Sequence, residues 1–266
     1  MSDAPMTSLR ESDKSSSPSY TVRALVVIAV LLAFVGIALL LHGPIPQPLA
    51  YHEFADDRAF FGIPNILDVL TNVPFLLAGI FGLVAFRKAY GVQAKFAWRL
   101  FFLSVVATSM GSAYYHWEPT NFSLFWDILP IACAASALSV AVLFDYAVRR
   151  FEHSMLIGFV TAGVGSVVYW KMVDDLRYYV IMQISPFLII LTLFLLTPTT
   201  FQDRPYFWYA ILSYLAARIS EIYDHEIFTL TGQMLSGHSL KHVLIAATVL
   251  VFALMLRRRC RRHWTL

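Results

Sequence analysis

Residues 238–256 read HSLKHVLIAATVLVFALML, a polar opening of two histidines and a lysine followed by an apolar run broken only by Thr248. The run has no polar face, so its helix belongs in lipid or in a fully buried core. A spanning helix needs about 17–25 such residues. Similar stretches recur near 22–42, 65–86, 97–116, 123–147, 154–170, 178–197 and 206–223. With 58% hydrophobic and only 14% charged residues, the chain could not cover a soluble core of this size. The expected fold class is an all-α polytopic membrane protein, a seven-helix bundle preceded by one extra N-terminal transmembrane helix.

Residues 1–20 are Ser-rich and read as a disordered cytoplasmic tail. Residues 21–43 form either a signal peptide or a retained anchor, and the length of the apolar run favours the anchor. The seven-helix domain occupies 44–257, and 258–266 reads as a basic cytoplasmic tail. Pro74, Pro130 and Pro186 fall inside the predicted helices and should kink them. Gly158, Gly163 and Gly165 would let the 154–170 segment approach its neighbours closely. The two cysteines, Cys133 in an apolar segment and Cys260 in the tail, offer neither a disulfide framework nor a Cys-based zinc motif.

Charge sets the expected orientation. Arg87, Lys88, Lys95, Arg99, Arg149, Arg150, Arg204 and the Arg257–Arg262 cluster fall on alternate connections. The remaining connections carry only Arg58, Lys171 and Arg177, and are richer in acids. The basic connections should be cytoplasmic, which places the C-terminus inside. An arginine cluster abutting a membrane segment is a topology signal, so no nucleic-acid partner is expected.

On this map His116 closes the third segment with Ser112 one turn deeper, Asp127 lies near the start of the fourth, and His238 and His242 open the last. All five therefore share the non-cytoplasmic end. Ionisable groups at membrane depth are costly and usually functional. His238 and His242, spaced i, i+4, share one helix face, and His116 could complete a three-imidazole set with an open position for water. All-nitrogen ligation suits zinc best, with iron, nickel or copper as alternatives. Asp127 would act as general base and Ser112 as a donor to the developing oxyanion. Each residue alone has a plainer reading: an interfacial histidine, a packing serine, a capping aspartate. Their coincidence at one end is what favours the metal.

These residues carry a resemblance. Gly111-Ser-Ala-Tyr-Tyr-His116, Trp126-Asp127 and Ser236-Gly-His-Ser-Leu-Lys-His242 resemble the signature of the alkaline ceramidase family. That family belongs to a superfamily of membrane hydrolases including the adiponectin and progestin receptors. The similarity spans about 51–256, and it implies zinc held by His116, His238 and His242. It also implies Ser112 and Asp127 as the assisting pair, and hydrolysis of a ceramide-like lipid amide. A haem-binding electron-transfer protein and a non-catalytic lipid-responsive receptor are the alternative classes.

A second cluster, Asp56, Asp57, Asn65 and Asp68, is rich in the oxygen donors that calcium prefers. Its alternative is an acidic loop leading into a helix cap. Arg218 and Glu221, at i, i+3, should pair with each other. Glu221 and Asp224 could support a metal-binding histidine, and His52 and His225 are further ligands to weigh.

Overall fold

The computed structural model describes residues 18–87, 92–148, 150–196 and 203–262, and these are helical apart from links and one isolated bridge between Phe60 and Ile63. Residues 1–17 and 263–266, with Lys88 and Arg149 of the charge map, lie outside them. In chain order the helices are α1 (Pro18–His42), α2 (Ile66–Leu70), α3 (Val73–Arg87), α4 (Lys95–Trp117) and α5 (Asn121–Tyr146). They continue as α6 (Glu152–Val173), α7 (Arg177–Leu196), α8 (Arg204–Ile222), α9 (Asp224–Leu230) and α10 (Gly237–Arg262). Seven spans are long and apolar enough to cross a bilayer: α1, α2 with α3, α4, α5, α6, α7 and α10 to Arg259. The chain is an integral, multi-pass membrane protein.

The remaining expected span, α8, has the length but not the apolarity. Arg204, Arg218 and Glu221 interrupt it, and it packs along α10, where Ser213 Oγ donates to the Leu244 carbonyl at 2.7 Å. The extra helix α1 lies at the edge against α7, with Phe34 and Leu41 turned outward. An outward ring of large apolar side chains is the surface lipid would cover.

Water-driven burial does not hold helices together inside a bilayer, so close contact between small residues has to do so. Central α5 illustrates this, with Ala132, Ser136, Ala137, Ser139 and Ala141 buried. Only Gly163 of the three α6 glycines serves the expected close approach: a Cβ there would meet Ser136 Oγ at 2.4 Å and the Ala132 carbonyl oxygen at 3.1 Å. Gly158 and Gly165 face open space. Pro130 and Pro186 do lie within helices. Pro74 instead occupies the first turn of α3, where its missing N–H costs nothing.

Both ends of the bundle are tied. α1 begins at Pro18, inside the stretch read as a tail, and α10 continues through the arginines to Arg262. Arg259 pairs with Asp145 at 2.7 Å and Asp203 at 2.9 Å, while Trp98 Nε1 donates to Asp145 at 3.0 Å. The basic segment is thus partly a helical lock joining α4, α5, α8 and α10. At the opposite end, Asp175 accepts from the Ile45 amide at 3.2 Å and from Arg177, which clamps both carboxylate oxygens. The Arg177 hydrogen bonds, chiefly from its side chain, hold the Asp175 carboxyl down to about 2.

Candidate metal centre

Three backbone features bring the polar residues together. The end of α4 and the start of α5 cross at Gly111, where a Cβ would stand 2.1 Å from the Trp126 carbonyl oxygen and 3.2 Å from Asp127 Cα. Only glycine permits that crossing, and it sets Ser112 beside Asp127. A capping box between Thr120 and Ser123 fixes the entry of α5. The start of α10 is pressed onto the end of α8 at Gly237, where a Cβ would stand 2.0 Å from the Ser220 carbonyl oxygen. There Asp224 accepts the His238 amide at 2.7 Å, and Ser236 Oγ accepts the Ser239 amide at 2.9 Å. These acceptors satisfy amides that a helix start leaves open.

His116, His238 and His242 are all buried, and one ligand atom from each lies within 4.8 Å of the others. His116 Nε2 and His238 Nε2 are 3.3 Å apart. Ring centroids are separated by 4.7, 4.9 and 5.0 Å, a nearly even triangle. Two nitrogens bound tetrahedrally to one zinc at ~2.05 Å lie ~3.3 Å apart. His242 engages Thr71 Oγ1 through Nδ1 at 3.0 Å, which leaves Nε2 for the cluster. Such a partner fixes the ring orientation of a metal-binding histidine. The donor set therefore fits a metal ion. Phe54 packs its ring 4.7 Å from His116 and 4.9 Å from His238, and Phe75 lies 5.8 Å from His242.

Ser112 and Asp127 are both buried, on the adjoining α4 and α5. Asp127 Oδ1 has no protein partner. Both residues, with His242, line a cavity of ≈ 340 Å³ whose apolar wall descends past Val105 and Phe101 to Phe252. A largely apolar pocket with a few convergent polar groups is the usual form of a small-molecule site.

The acidic cluster is arranged differently. Both Asp56 oxygens accept from Arg58 at 2.6 Å, and Asp57 is exposed. Asn65 donates to the His116 carbonyl at 2.8 Å. Asp68 is fully buried and accepts from Ser239 Oγ at 2.6 Å and Ser236 Oγ at 3.3 Å, with Oδ2 unpartnered. Asn65 and Asp68 thus brace the imidazole set, while Asp56 belongs to an ion pair. Among the described residues, the ligand atoms drawn together for a metal are those of the three histidines.

His52 hydrogen-bonds with Tyr115 and Asn121, both at 2.9 Å, and His225 is exposed. Neither joins the triad. Arg218 does pair with Glu221. The pair has a further member that sequence reasoning passed over: Lys241 Nζ lies 3.0 Å from Glu221 Oε1 and 2.9 Å from His238 Nε2. Its signal was a lysine in the first turn of a spanning helix, three residues beyond a ligand histidine. Tyr51 and Phe54, also passed over, sit in a link with no pattern pointing inward.

No protein-family model matches the chain, and no curated protein matches it. Fold and site together define an apolar membrane bundle with a buried three-histidine group able to hold a metal ion.

Proposed function

We propose that this protein is a zinc-dependent membrane hydrolase that cleaves the amide bond of an N-acyl lipid, as its resemblance to the alkaline ceramidases implies. The observation that carries the reading is that Ser112 and Asp127 share with His242 of the triad the wall of a cavity apolar enough for an acyl chain. A structural metal would need neither residue, and both are costly to bury without a task.

Zinc bound by His116, His238 and His242 would supply Lewis acidity toward the carbonyl and lower the pKa of water to near 7. Asp127 takes the proton from the attacking water through its unpartnered oxygen. As the C–N bond breaks and the C–O bond forms, Asp127 returns that proton to the leaving amine. Ser112 donates to the carbonyl oxygen as negative charge grows there. The acyl chain lies along Val105, Phe101 and Phe252, and Phe54 keeps water from the far side of the imidazoles. Charge bias orients the basic ends of α3, α8 and α10 to the cytoplasm and the triad to the other face. A haem between these histidines is disfavoured, because imidazole nitrogens 3.3 Å apart leave no space for a macrocycle.

The test is hydrolysis of a panel of N-acyl lipids by the purified protein in vesicles, with metal content measured in parallel. Zinc-dependent fatty-acid release is expected, reduced about 100-fold or more in Asp127→Asn with the zinc retained. Undiminished release from that variant would remove Asp127 from the mechanism. Wild-type protein that binds no metal would remove the whole reading.

A further inference from the structure

The polar end of the cavity holds charge that amide hydrolysis does not use. Arg218, Glu221 and Lys241 all line it, beside Ser112, Asp127 and Tyr51. Glu221 is the shared anion. Its Oε2 accepts from Arg218, and its Oε1 accepts from Lys241 at 3.0 Å and from the Tyr51 hydroxyl at 3.2 Å. Two cations therefore share the Glu221 carboxylate, and the other acid lining the cavity is Asp127.

Of the two cations, Arg218 is the more open. Its side chain is 47% exposed, against 11% for both Glu221 and Lys241. Only Nη1 is engaged, so among the described residues no hydrogen bond takes up Nε or Nη2. A guanidinium with an open edge is built to receive a second anion through paired N–H donors. Lys241 touches both Glu221 and His238 Nε2, so the cluster directly abuts the imidazole triad.

We propose that Arg218, held by Glu221 and backed by Lys241, is the head-group subsite, and that it selects N-acyl lipids whose head carries an acid. The class is N-acyl amino acids or N-acyl aminosulfonates, in preference to lipids with an uncharged alcohol head. This inference rests on the N-acyl lipid reading above. An uncharged head would leave the open guanidinium edge of Arg218 without an anionic acceptor, whereas one carboxylate or sulfonate takes up those N–H groups.

The test compares N-palmitoyl glycine and N-palmitoyl taurine with N-palmitoyl ethanolamine, their near-isosteric neutral counterpart. Binding is measured on the full chain in nanodiscs after metal removal, and cleavage on the zinc-loaded protein. The acids should bind at least about tenfold more tightly than the alcohol. Arg218→Gln should bring that ratio close to one, and Arg218→Lys, which keeps the charge, should restore part of it. The Lys variant also separates lost recognition from lost folding. Equal binding of acid and alcohol by the wild type would overturn the proposal, as would a ratio unaltered in Arg218→Gln. Palmitate binding as tightly as N-palmitoyl glycine would assign the charge to a product carboxylate and also overturn it. Acid-selective binding without cleavage of any lipid would sink the hydrolase reading and leave head-group selection standing.

Discussion

Replacing Gly237 by alanine tests how the metal-binding geometry is held. The added methyl would stand 2.0 Å from the Ser220 carbonyl oxygen and 2.8 Å from Asp224 Cα. Both are backbone atoms, so no side chain can swing aside. Restoring ordinary contact requires the end of α8 and the start of α10 to part by about 1.4 Å. His238 is the next residue, and its amide is anchored to the same Asp224. Zinc–ligand distances tolerate deviations of only about 0.2 Å, so the displacement is several times what the triad can absorb. Zinc affinity should fall at least about 100-fold, with overpacking costing about 1–3 kcal/mol of stability. The assay is zinc retention by mass spectrometry after equilibration against graded chelator, with thermal unfolding followed in the same detergent. Gly158→Ala and Gly165→Ala are the controls, because a Cβ at either meets nothing within 4 Å. They should keep wild-type affinity and gain up to about 1 kcal/mol from helix propensity. Wild-type zinc affinity in Gly237→Ala would refute the argument that this crossing sets the ligand geometry.

The crossing of α4 and α5 should fail differently: Gly111→Ala pushes against Trp126 and displaces Asp127 from Ser112. Turnover is expected to drop about 100-fold, while zinc affinity falls less than in Gly237→Ala, which parallel activity and metal assays would resolve. Acid should loosen the tie between the α1–α2 link and the α6–α7 turn. Asp175 has its carboxyl held to about 2 against an ordinary 3.8. Its contribution is therefore complete above 3.8 and is lost as pH falls from there through 2. Melting temperature across that window should decline more steeply in wild type than in Asp175→Asn, and parallel declines would refute the assignment.

The spans were legible because apolar length needs no partner to be recognised, and His238 with His242 because i, i+4 spacing is a property of one helix. His116, Ser112 and Asp127 joined them through charge bias, which reports helix direction. What stayed hidden is rotation about each helix axis. A helix apolar on every side carries no period that marks its inward face. Nothing in the sequence therefore says that Lys241 turns toward Glu221, or that Asp68 lies beneath Ser236 and Ser239. The link before α2 was opaque for another reason. Asp56 pairs with Arg58 two residues later through loop geometry that spacing alone does not specify. The span expected at 206–223 rested on length, and Arg218 and Glu221 within it leave α8 less apolar than the other spans.

That helix has a bearing on how the protein is made. α8 is synthesised before α10 exists, yet its Glu221 draws a cation from Lys241, and Asp203 just ahead of it is paired with Arg259. The final helix thus carries two of the three imidazoles and counter-charges for both ends of α8. Assembly of the imidazole triad and secure seating of α8 become one late event in synthesis. A chain ending before Gly237 should leave α8 loosely placed, which cysteine-accessibility mapping along Arg204–Ile222 would reveal.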